Sequence, residues 1–170
     1  MTPRPAQPLG LAVGDVVVYA CHGIGRVESR RPGDDELPET VALLFESGLR
    51  VTLPLARAVE TLRPLSTEPE LEDVRRTLGA EASPVEPWSK RHRTTREKVA
   101  AGQPTALAEV VRDGLQREHA NGGTTAPSER ELYIRARTLL AAEIALCRGI
   151  DVAEADAWVV EQVESTNDLR

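Results

Sequence analysis

The sequence predicts an α+β protein in which a small β-barrel is followed by an all-helical bundle. From Val13 to about Leu62, apolar residues recur with period two and many are β-branched, which is typical of short strands. From Thr67 onward the period changes to 3.6, which is typical of amphipathic helices. This change of period predicts a domain boundary between residues 63 and 68.

Four or five short strands are predicted in the N-terminal half. The stretch VGDVVVYA predicts a strand, CHGIG predicts a tight turn, and IGRVESR predicts the returning strand of a hairpin. A polar loop, RRPGDDELPE, separates this hairpin from the strands TVALLFE and SGLRVTLP. Pro54 cannot donate a hydrogen bond to a ladder, so we expect it at a strand end or a sheet edge. Four or five short strands in about fifty residues favour a strongly bent SH3-like or Tudor-like barrel.

The first two predicted helices flank a proline-containing stretch. Thr67 and Glu70 form a capping-box pattern, and Gly79 ends the short helix that follows. The stretch EASPVEP predicts a hinge. A second helix is then predicted from about Trp88 to Ala101, stopping at Gly102.

Three more helices complete the predicted bundle. The third covers TALAEVVRDGLQREHA and ends at NGG. The fourth begins at Ser128, with Glu131 as its capping partner, and runs to Arg148. The last begins after Asp151 and ends near Val163. Apolar stripes on these helices supply a core that they can bury together, and we expect Trp158 to belong to it.

The ends and the cysteines indicate a cytoplasmic protein. Residues 1–10 hold three prolines and no apolar run, so we expect a short disordered leader, and residues 165–170 are expected to form a tail. The sequence holds no apolar run of the roughly 18 residues that a spanning helix needs. Cys21 and Cys147 lie far apart in no metal-binding spacing, so we expect both to be reduced and buried.

Positive charge is concentrated in one part of an acidic chain. The formal net charge is -6, yet residues 83–148 carry eleven Lys and Arg against eight Asp and Glu. The stretch WSKRHRTTRE, residues 88–97, gathers most of this excess and begins with one of only two tryptophans. Its basic residues are Lys90, Arg91, Arg93 and Arg96.

Two interpretations of this stretch are open. A cluster of like charges is often a solvated helix face. Here, however, the cations lie at a helix start, where they oppose the macrodipole and do not favour stability. Trp88 precedes them, and an indole beside Lys and Arg is typical of nucleic-acid contacts, in which phosphates are held by charge and the ring stacks on bases or wedges between them. The sequence therefore favours a DNA-binding surface formed by Trp88, Lys90, Arg91, Arg93 and Arg96.

The residues do not assemble into a catalytic or metal site. Cys21 and His22 are adjacent in a predicted strand, so their side chains point to opposite faces and form a poor nucleophile and base pair. The three histidines have no ligand spacing, and GIG at 23–25 is an incomplete dinucleotide fingerprint. We expect no enzyme activity, no metal and no cofactor.

Four stretches together resemble the CarD family of bacterial transcription regulators. They are VGDVVVYACHGIG, PWSKRHRTTREKVAAG, LAEVVRDGLQRE and SERELYIRARTLLAAEIAL, which occur in this order within residues 11–164. The resemblance implies an RNA-polymerase-interacting Tudor-like barrel at residues 11–65, of the kind shared with transcription-repair coupling factors. It also implies a helical DNA-binding domain at residues 66–164.

The family resemblance further implies the partners and the mechanism. The barrel is expected to bind the polymerase β subunit, and Trp88 matches a tryptophan that enters the minor groove of promoter DNA at the upstream edge of the bubble. Lys90, Arg91 and Arg93 match the basic positions after it. The result is a stabilised open complex with little sequence specificity. We expect a monomer that is associated with the bacterial nucleoid through RNA polymerase.

The last barrel strand departs from the family pattern. The family places a basic residue two positions before the proline, where this chain has Thr52, with the arginine at Arg50. Residues i and i+2 share a face of a strand, so Arg50, Thr52 and Pro54 are the expected polymerase-binding residues. The alternative is a divergent paralogue that acts as a protein-protein interaction module with no DNA role.

Overall fold

The computed structural model of the chain describes residues 9–123 and 125–167, with the side chains of Cys21, Thr166 and Asn167 outside the description. The chain forms two compact units, one ending at residue 67 and the other beginning at residue 68. The predicted leader, residues 1–10, falls almost entirely outside the described residues. The end of the predicted tail does so as well.

A four-stranded antiparallel sheet forms the first unit, with the strands in chain order. The strands are β1 (Val16–Tyr19), β2 (Gly23–Arg31), β3 (Thr40–Phe45) and β4 (Arg50–Pro54). A bulge between Val27 and Ser29 shifts the register of β2 against β3, which increases the local twist. The predicted α+β class and the predicted strands are confirmed.

A short 3-10 turn, Ala20–His22, closes the first hairpin. Ala20 has φ 38° and Gly23 has φ 83°. Gly23 suits this backbone because it has no Cβ to clash in the left-handed region. The predicted hairpin between VGDVVVYA and IGRVESR is confirmed.

The prediction of strand structure up to Leu62 is wrong for residues 55–61. A helix, α1 (Leu55–Thr61), follows β4 directly. Pro54 has no N–H to continue a ladder, and Ala58 and Leu62 are buried in the barrel core at a helical spacing of four residues. The period of three to four in LARAVETL was therefore present in the sequence, but it is too short to stand out beside the preceding strands.

One outer edge of the sheet is covered by the chain and the other is open. Val18 and Arg63 form an isolated bridge, with Val18 N–H donating to Arg63 O at 2.8 Å and Arg63 N–H donating to Val18 O at 3.0 Å. The chain after α1 thereby covers the outer edge of β1. In the sheet order β4 has a neighbour on one side only, so its outer edge is the edge of the described sheet.

Five helices form the second unit. They are α2 (Glu68–Leu78), α3 (Trp88–Ala101), α4 (Pro104–Ala120), α5 (Pro127–Arg148) and α6 (Val152–Asn167). Gly102 and Gly149 follow α3 and α5 in the left-handed conformation with φ 64° and 66°, as the sequence predicts.

Two predicted helix boundaries are wrong. Helix α5 begins at Pro127 with Ala126 at the N-cap and no side-chain cap, so Ser128 and Glu131 do not form the predicted capping box. Proline is well suited to the first helical position because its missing N–H would be unpaired there anyway. Helix α6 continues past Val163 to Asn167.

The helical core is built from aliphatic side chains of α2, α4, α5 and α6, with Val99 as the contribution of α3. Trp158 is partly buried against this core, with the Arg148 guanidinium 4.3 Å above its ring. Cys147 is also partly buried there rather than fully buried as expected. Gly114 lies so close to the Tyr133 ring that a Cβ would be 2.5 Å from it.

A polar network crosses from α5 to α6. Arg137 donates two hydrogen bonds of 2.5 Å to the carboxylate of Asp156 and one of 3.2 Å to the Tyr133 hydroxyl. The Asp156 carboxylate raises the pKa of Arg137 above its usual value. Burial raises the pKa of Tyr133, because the apolar surroundings disfavour a phenolate.

Within the described residues, no helix is long and apolar enough to cross a membrane.

Candidate nucleic-acid interface and barrel edge

Helix α3 carries all the predicted DNA-binding residues and lies at the surface of the helical unit. It begins after Pro87, which has φ -51° and ψ 142°, and Arg91 N–H donates to Pro87 O at 3.0 Å. Val99 is its single fully buried residue. Most of the helix surface is therefore left to polar side chains and solvent.

The chain leading into α3 is anchored by the Arg-Asp pair of the AEVVRD stretch. Buried Arg112 donates to Ser83 Oγ at 3.0 Å and to Thr77 O at 3.3 Å. Ser83 N–H donates in turn to Asp113 Oδ1 at 3.1 Å. The stretch EASPVEP, predicted as a hinge, is thus fastened to α4 at Ser83, four residues before Pro87.

Trp88 is exposed, with 53% of its surface accessible. Its indole stacks on the imidazole of His92, with ring centroids 5.2 Å apart and planes inclined by 21°. The spacing of four residues places the two rings one above the other on the helix surface. Trp88 lies outside the helical core, as a contact residue must.

Lys90 is exposed but already paired. Its Nζ lies 2.6 Å from Glu86 Oε1, four residues earlier. Both side chains are open to solvent, so this ion pair is weak and exchanges readily for another anion. Lys90 can therefore exchange Glu86 for a phosphate.

Arg91 faces the bundle rather than solvent. It donates to Glu129 Oε1 at 2.7 Å and to Glu86 O at 2.8 Å. The Arg91 and Glu129 side chains are 19% and 10% exposed, and Arg117 approaches the same carboxylate at 3.6 Å. The charge of Arg91 is thus neutralised inside the unit, and its part in the site is to hold α3 against the first turn of α5.

Arg93 and Arg96 are the unpaired cations of the cluster. Both are exposed, and neither has an ion-pair partner among the described residues. Helix geometry separates Arg91 from Arg93 by roughly 160°, and Arg91 faces the bundle, so these two do not belong to one contact surface. On the same geometry Arg93 lies roughly 60° from both Lys90 and Arg96. Arg96 lies roughly 80° from Trp88, so it stands between Arg93 and Trp88 around the helix.

Strand β4 carries the predicted polymerase-binding residues at the edge of the sheet. Just beyond the strand, Leu55 N–H donates to Glu39 O of the neighbouring chain segment at 2.7 Å. Leu55 is therefore a hydrogen-bonded position, and such positions recur at every second residue of an antiparallel pair. Counting back from Leu55, the backbone groups of Leu53 and Val51 bond to β3. Their side chains also pack against the barrel core.

The backbone groups of the other residues of β4 point away from β3. The N–H and C=O groups of Arg50 and Thr52 therefore point to the open edge of the sheet. Pro54 ends this edge with a carbonyl group and no N–H donor. All three side chains are exposed. Arg50 donates a 2.8 Å hydrogen bond to Glu28 on β2, so its charge is shared with an exposed carboxylate.

Three residues that shape the site were missed as functional residues by sequence reasoning. Glu86 pairs with Lys90, Glu129 pairs with Arg91, and His92 stacks on Trp88. The spacing of four residues was a signal for Glu86 and His92, whereas Glu129 lies 38 residues from Arg91 and gave none. No group of three or more His, Cys, Asp or Glu that could hold a metal occurs among the residues described.

Comparison with known proteins assigns both halves of the chain. A family model described as "CarD, C-terminal domain" matches residues 73–160, and one described as "CarD-like/TRCF RID domain" matches residues 11–66. A protein of Bacillus subtilis (strain 168), named "Putative transcription factor YdeB", is 26% identical over 143 residues. That alignment covers 81% of this chain and 92% of the relative.

Proposed function

This chain belongs to the CarD family of transcription factors, and from that premise we propose that it stabilises the open promoter complex by binding the polymerase β subunit and promoter DNA together. The RNA-polymerase-interacting domain contacts the β subunit. The helical unit contacts the minor groove at the upstream edge of the bubble, with little sequence preference. The protein acts as a monomer in the cytoplasm, at the nucleoid, and uses no cofactor.

The observation that carries the DNA contact is an exposed indole on the same helix as two guanidinium groups that have no ion partner among the described residues. Trp88 is 53% exposed in a chain whose aromatic content is only 3%. Arg93 and Arg96 lie on the same side of α3 and have no acidic partner among the described residues. An exposed indole and unpaired guanidinium groups do not stabilise the fold. A ligand that binds both the ring and the charges is therefore favoured.

The chemistry of these groups fits the edge of a bubble. Arginines that contact phosphates supply affinity without reading bases. An indole inserted at a base step must unstack it, which costs about a few kcal/mol in an intact duplex. That cost is smallest where the duplex is already open, so Trp88 favours open over closed promoters. Arg91 supports the contact indirectly, because it fixes the start of α3.

Strand addition is the proposed contact with polymerase. The open edge of β4 offers the N–H groups of Arg50 and Thr52 to a partner strand, and the fixed geometry of the sheet makes them ready for pairing. Arg50 then leaves Glu28 for an acidic group of the partner. The exposed ion pair with Glu28 is weak, so the exchange is inexpensive.

Two weak contacts suffice when the polymerase already holds the promoter. Once the barrel is bound, the helical unit meets DNA at a high effective concentration, and the second contact becomes effectively intramolecular. The overall charge of -6 opposes DNA binding by other surfaces and keeps the isolated interaction weak.

Salt dependence tests the DNA contact. Affinity of the full chain for a forked promoter fragment is measured at several salt concentrations, for the parent and for Lys90→Ala/Arg93→Ala. Each phosphate contact adds about 0.9 to the slope of log affinity against log salt, so the double variant should lose up to about 1.8. A control that removes the same charge elsewhere is Arg57→Ala/Arg76→Ala, because both arginines are exposed and lie outside the site.

The expected outcome is a clear loss of slope in the site variant and little change in the control. Equal slopes in the two double variants would mean that α3 does not touch the phosphate backbone. A parent slope near zero would favour the alternative, a protein-protein interaction module in which Trp88 anchors a protein partner.

A further inference from the structure

We propose that a cavity between α3, α4 and α5 binds a small organic monocarboxylate, and that the Arg117 guanidinium receives its charge. The cavity has a volume of about 270 Å³ and is lined by residues of these three helices and of the segments before α3 and α5. Trp88, Arg93 and Arg96 do not line it. The inference is therefore independent of the proposed DNA contact.

Short side chains leave this space open between the helices. Four of the lining residues are small, namely Thr94, Thr95, Gly114 and Thr125. Val110 adds aliphatic surface, and Tyr133 adds an aromatic side chain. The volume lies just below the range of about 300–1,000 Å³ that is typical of pockets for drug-sized ligands. The cavity therefore suits a small molecule with a hydrocarbon part, rather than a nucleotide or a peptide.

The ion pairs around the cavity leave one positive charge in excess. Most of the charged lining residues are neutralised in pairs, which are Lys90–Glu86, Lys98–Glu109, Arg112–Asp113 and Arg130–Glu118. Arg91 and Arg117 instead share one carboxylate, that of Glu129. Two guanidinium groups against one carboxylate leave a surplus of one positive charge among these residues.

Arg117 is the cation whose hydrogen-bonding capacity is unused. Arg91 Nε donates to Glu129 Oε1 at 2.7 Å, whereas Arg117 Nη1 lies 3.6 Å from the same oxygen. The Arg117 side chain is only 25% exposed, and its guanidinium donates no hydrogen bond to any residue that the structure describes. Buried and partly buried polar groups are normally hydrogen-bonded. The N–H donors of Arg117 are therefore available to a ligand in the cavity.

The size of the surplus charge favours a carboxylate over other ligands. A carboxylate carries one negative charge, and arginine binds it through two parallel N–H···O hydrogen bonds. A phosphate monoester carries about -1.5 to -2 at neutral pH, and the second charge would face the carboxylates of Glu118 and Glu129. A neutral ligand would leave the surplus charge of Arg117 uncompensated.

The Thr125 hydroxyl is a second polar group at the cavity with unused hydrogen-bonding capacity. Its oxygen is buried and has no hydrogen-bond partner among the described residues. Burial of a hydroxyl without a partner costs free energy, so such groups are rare in folded proteins. Thr125 and Arg117 line the same cavity, which is where a polar ligand would be most favoured.

The test measures binding of butyrate and of its neutral analogue butyramide to the full chain by NMR. Backbone amide shifts are followed at a fixed sodium chloride concentration, so that chloride competes throughout. The variant Arg117→Gln removes the surplus charge. Arg76→Gln is the matched control, because Arg76 is exposed on α2 and does not line the cavity. Circular dichroism and thermal melts check that both variants fold.

We expect butyrate to shift the amide signals of Thr95, Val110 and Gly114 saturably, with a Kd on the order of 0.1–10 mM. Butyramide should bind at least roughly tenfold more weakly, because it lacks the charge-assisted hydrogen bond. Equal binding of the two compounds by the parent would overturn the carboxylate assignment without any variant. Shifts that do not saturate would show that water alone fills the cavity.

Arg117→Gln should lose butyrate affinity by at least roughly tenfold, whereas Arg76→Gln should bind butyrate as the parent does. Unchanged affinity in Arg117→Gln would place the butyrate site elsewhere. The salt slope for forked DNA should be the same in Arg117→Gln as in the parent. A slope lower by about 0.9 would assign Arg117 to a DNA phosphate and overturn the carboxylate site, while leaving the proposed function standing.

Discussion

The Arg91 guanidinium donates to Glu129 across the gap between α3 and α5, at 2.7 Å. This bond joins the first turns of two helices that are far apart in sequence. Because both side chains are largely buried, the pair belongs to the structure of the helical unit rather than to its contact surface. The same stretch of basic residues therefore contains one structural arginine and two solvent-facing ones.

Arg91→Ala should destabilise the helical unit and Arg93→Ala should not. Among the described residues, removing Arg91 leaves the buried Glu129 carboxylate with the 3.6 Å contact to Arg117 as its ion pair, which should cost about 1–3 kcal/mol. Arg93 is exposed and unpaired among the described residues, so its removal should change stability by less than about 0.5 kcal/mol. Thermal melts of the two variants measure this difference. Equal melting temperatures would show that the Arg91–Glu129 pair does not stabilise the fold.

Glu86→Gln should strengthen DNA binding. The substitution releases Lys90 from its ion pair and removes a negative charge beside the contact surface. Lys90 no longer has to leave an ion partner to contact a phosphate, so the affinity for DNA should rise by roughly 1.5-fold to fivefold at a given salt concentration. Titrations with a forked fragment at fixed salt measure this affinity. Glu70→Gln, which removes a charge from α2, is the control, and a gain of the same size there would point to net charge rather than to Lys90.

Trp88→Ala should shorten the lifetime of the open complex with little effect on folding. The ring lies outside the helical core, so the melting temperature should change by no more than about 2 °C. Open-complex lifetime is measured with the cognate polymerase after addition of a competitor. Trp158→Ala provides the contrast, since Trp158 packs against the core and its loss should lower stability. A large fall in melting temperature for Trp88→Ala would contradict an exposed contact role.

Arg50→Glu should weaken binding of the β subunit and leave DNA binding unchanged. Arg50 lies at the open edge of β4, and the new carboxylate would face Glu28 and any acidic group of the partner. Pull-down of a β-subunit fragment by the full chain measures the first effect, and a salt titration with forked DNA measures the second. Arg57→Glu, on α1, is the matched control. Undiminished capture by Arg50→Glu would place the polymerase contact elsewhere on the barrel.

The helical unit should lose stability in alkali partly through Tyr133. Burial raises the pKa of this phenol above its ordinary value of about 10. The folded state therefore favours the protonated form. This contribution is fully present below the unfolded pKa and is lost as the pH rises through the raised folded pKa. Denaturant unfolding at about pH 9 and 11 should show a smaller loss in Tyr133→Phe than in the parent. An equal loss would show that other groups control the alkaline transition.

Sequence periodicity predicted most of the architecture, because long apolar patterns and helix-ending glycines are local signals. The hairpin before Gly23 and the end of α3 at Gly102 are examples. Helix α1 was missed because seven residues hold too few turns for a period to stand out. Its burial depends on the barrel core that it covers, which is a tertiary effect.

The candidate site was predictable in part. A helical projection of WSKRHRTTRE separates Arg91 from Arg93, and this would have divided the cluster correctly. The projection cannot show that Glu129 receives Arg91, since that contact depends on how α5 packs against α3. Nor can it show that Arg112 fastens Ser83, which sets where α3 begins.

The open edge of β4 also bears on how this protein stays in solution. An unpaired strand edge can recruit other copies of the chain into intermolecular sheets, and long flat edges do so most readily. In the described sheet this edge spans only Arg50–Pro54, ends in a proline without a donor, and carries a charged side chain at its start. Two outward N–H groups are too few to template a growing fibril. The barrel can thus leave a pairing edge uncovered for a partner while resisting aggregation with itself.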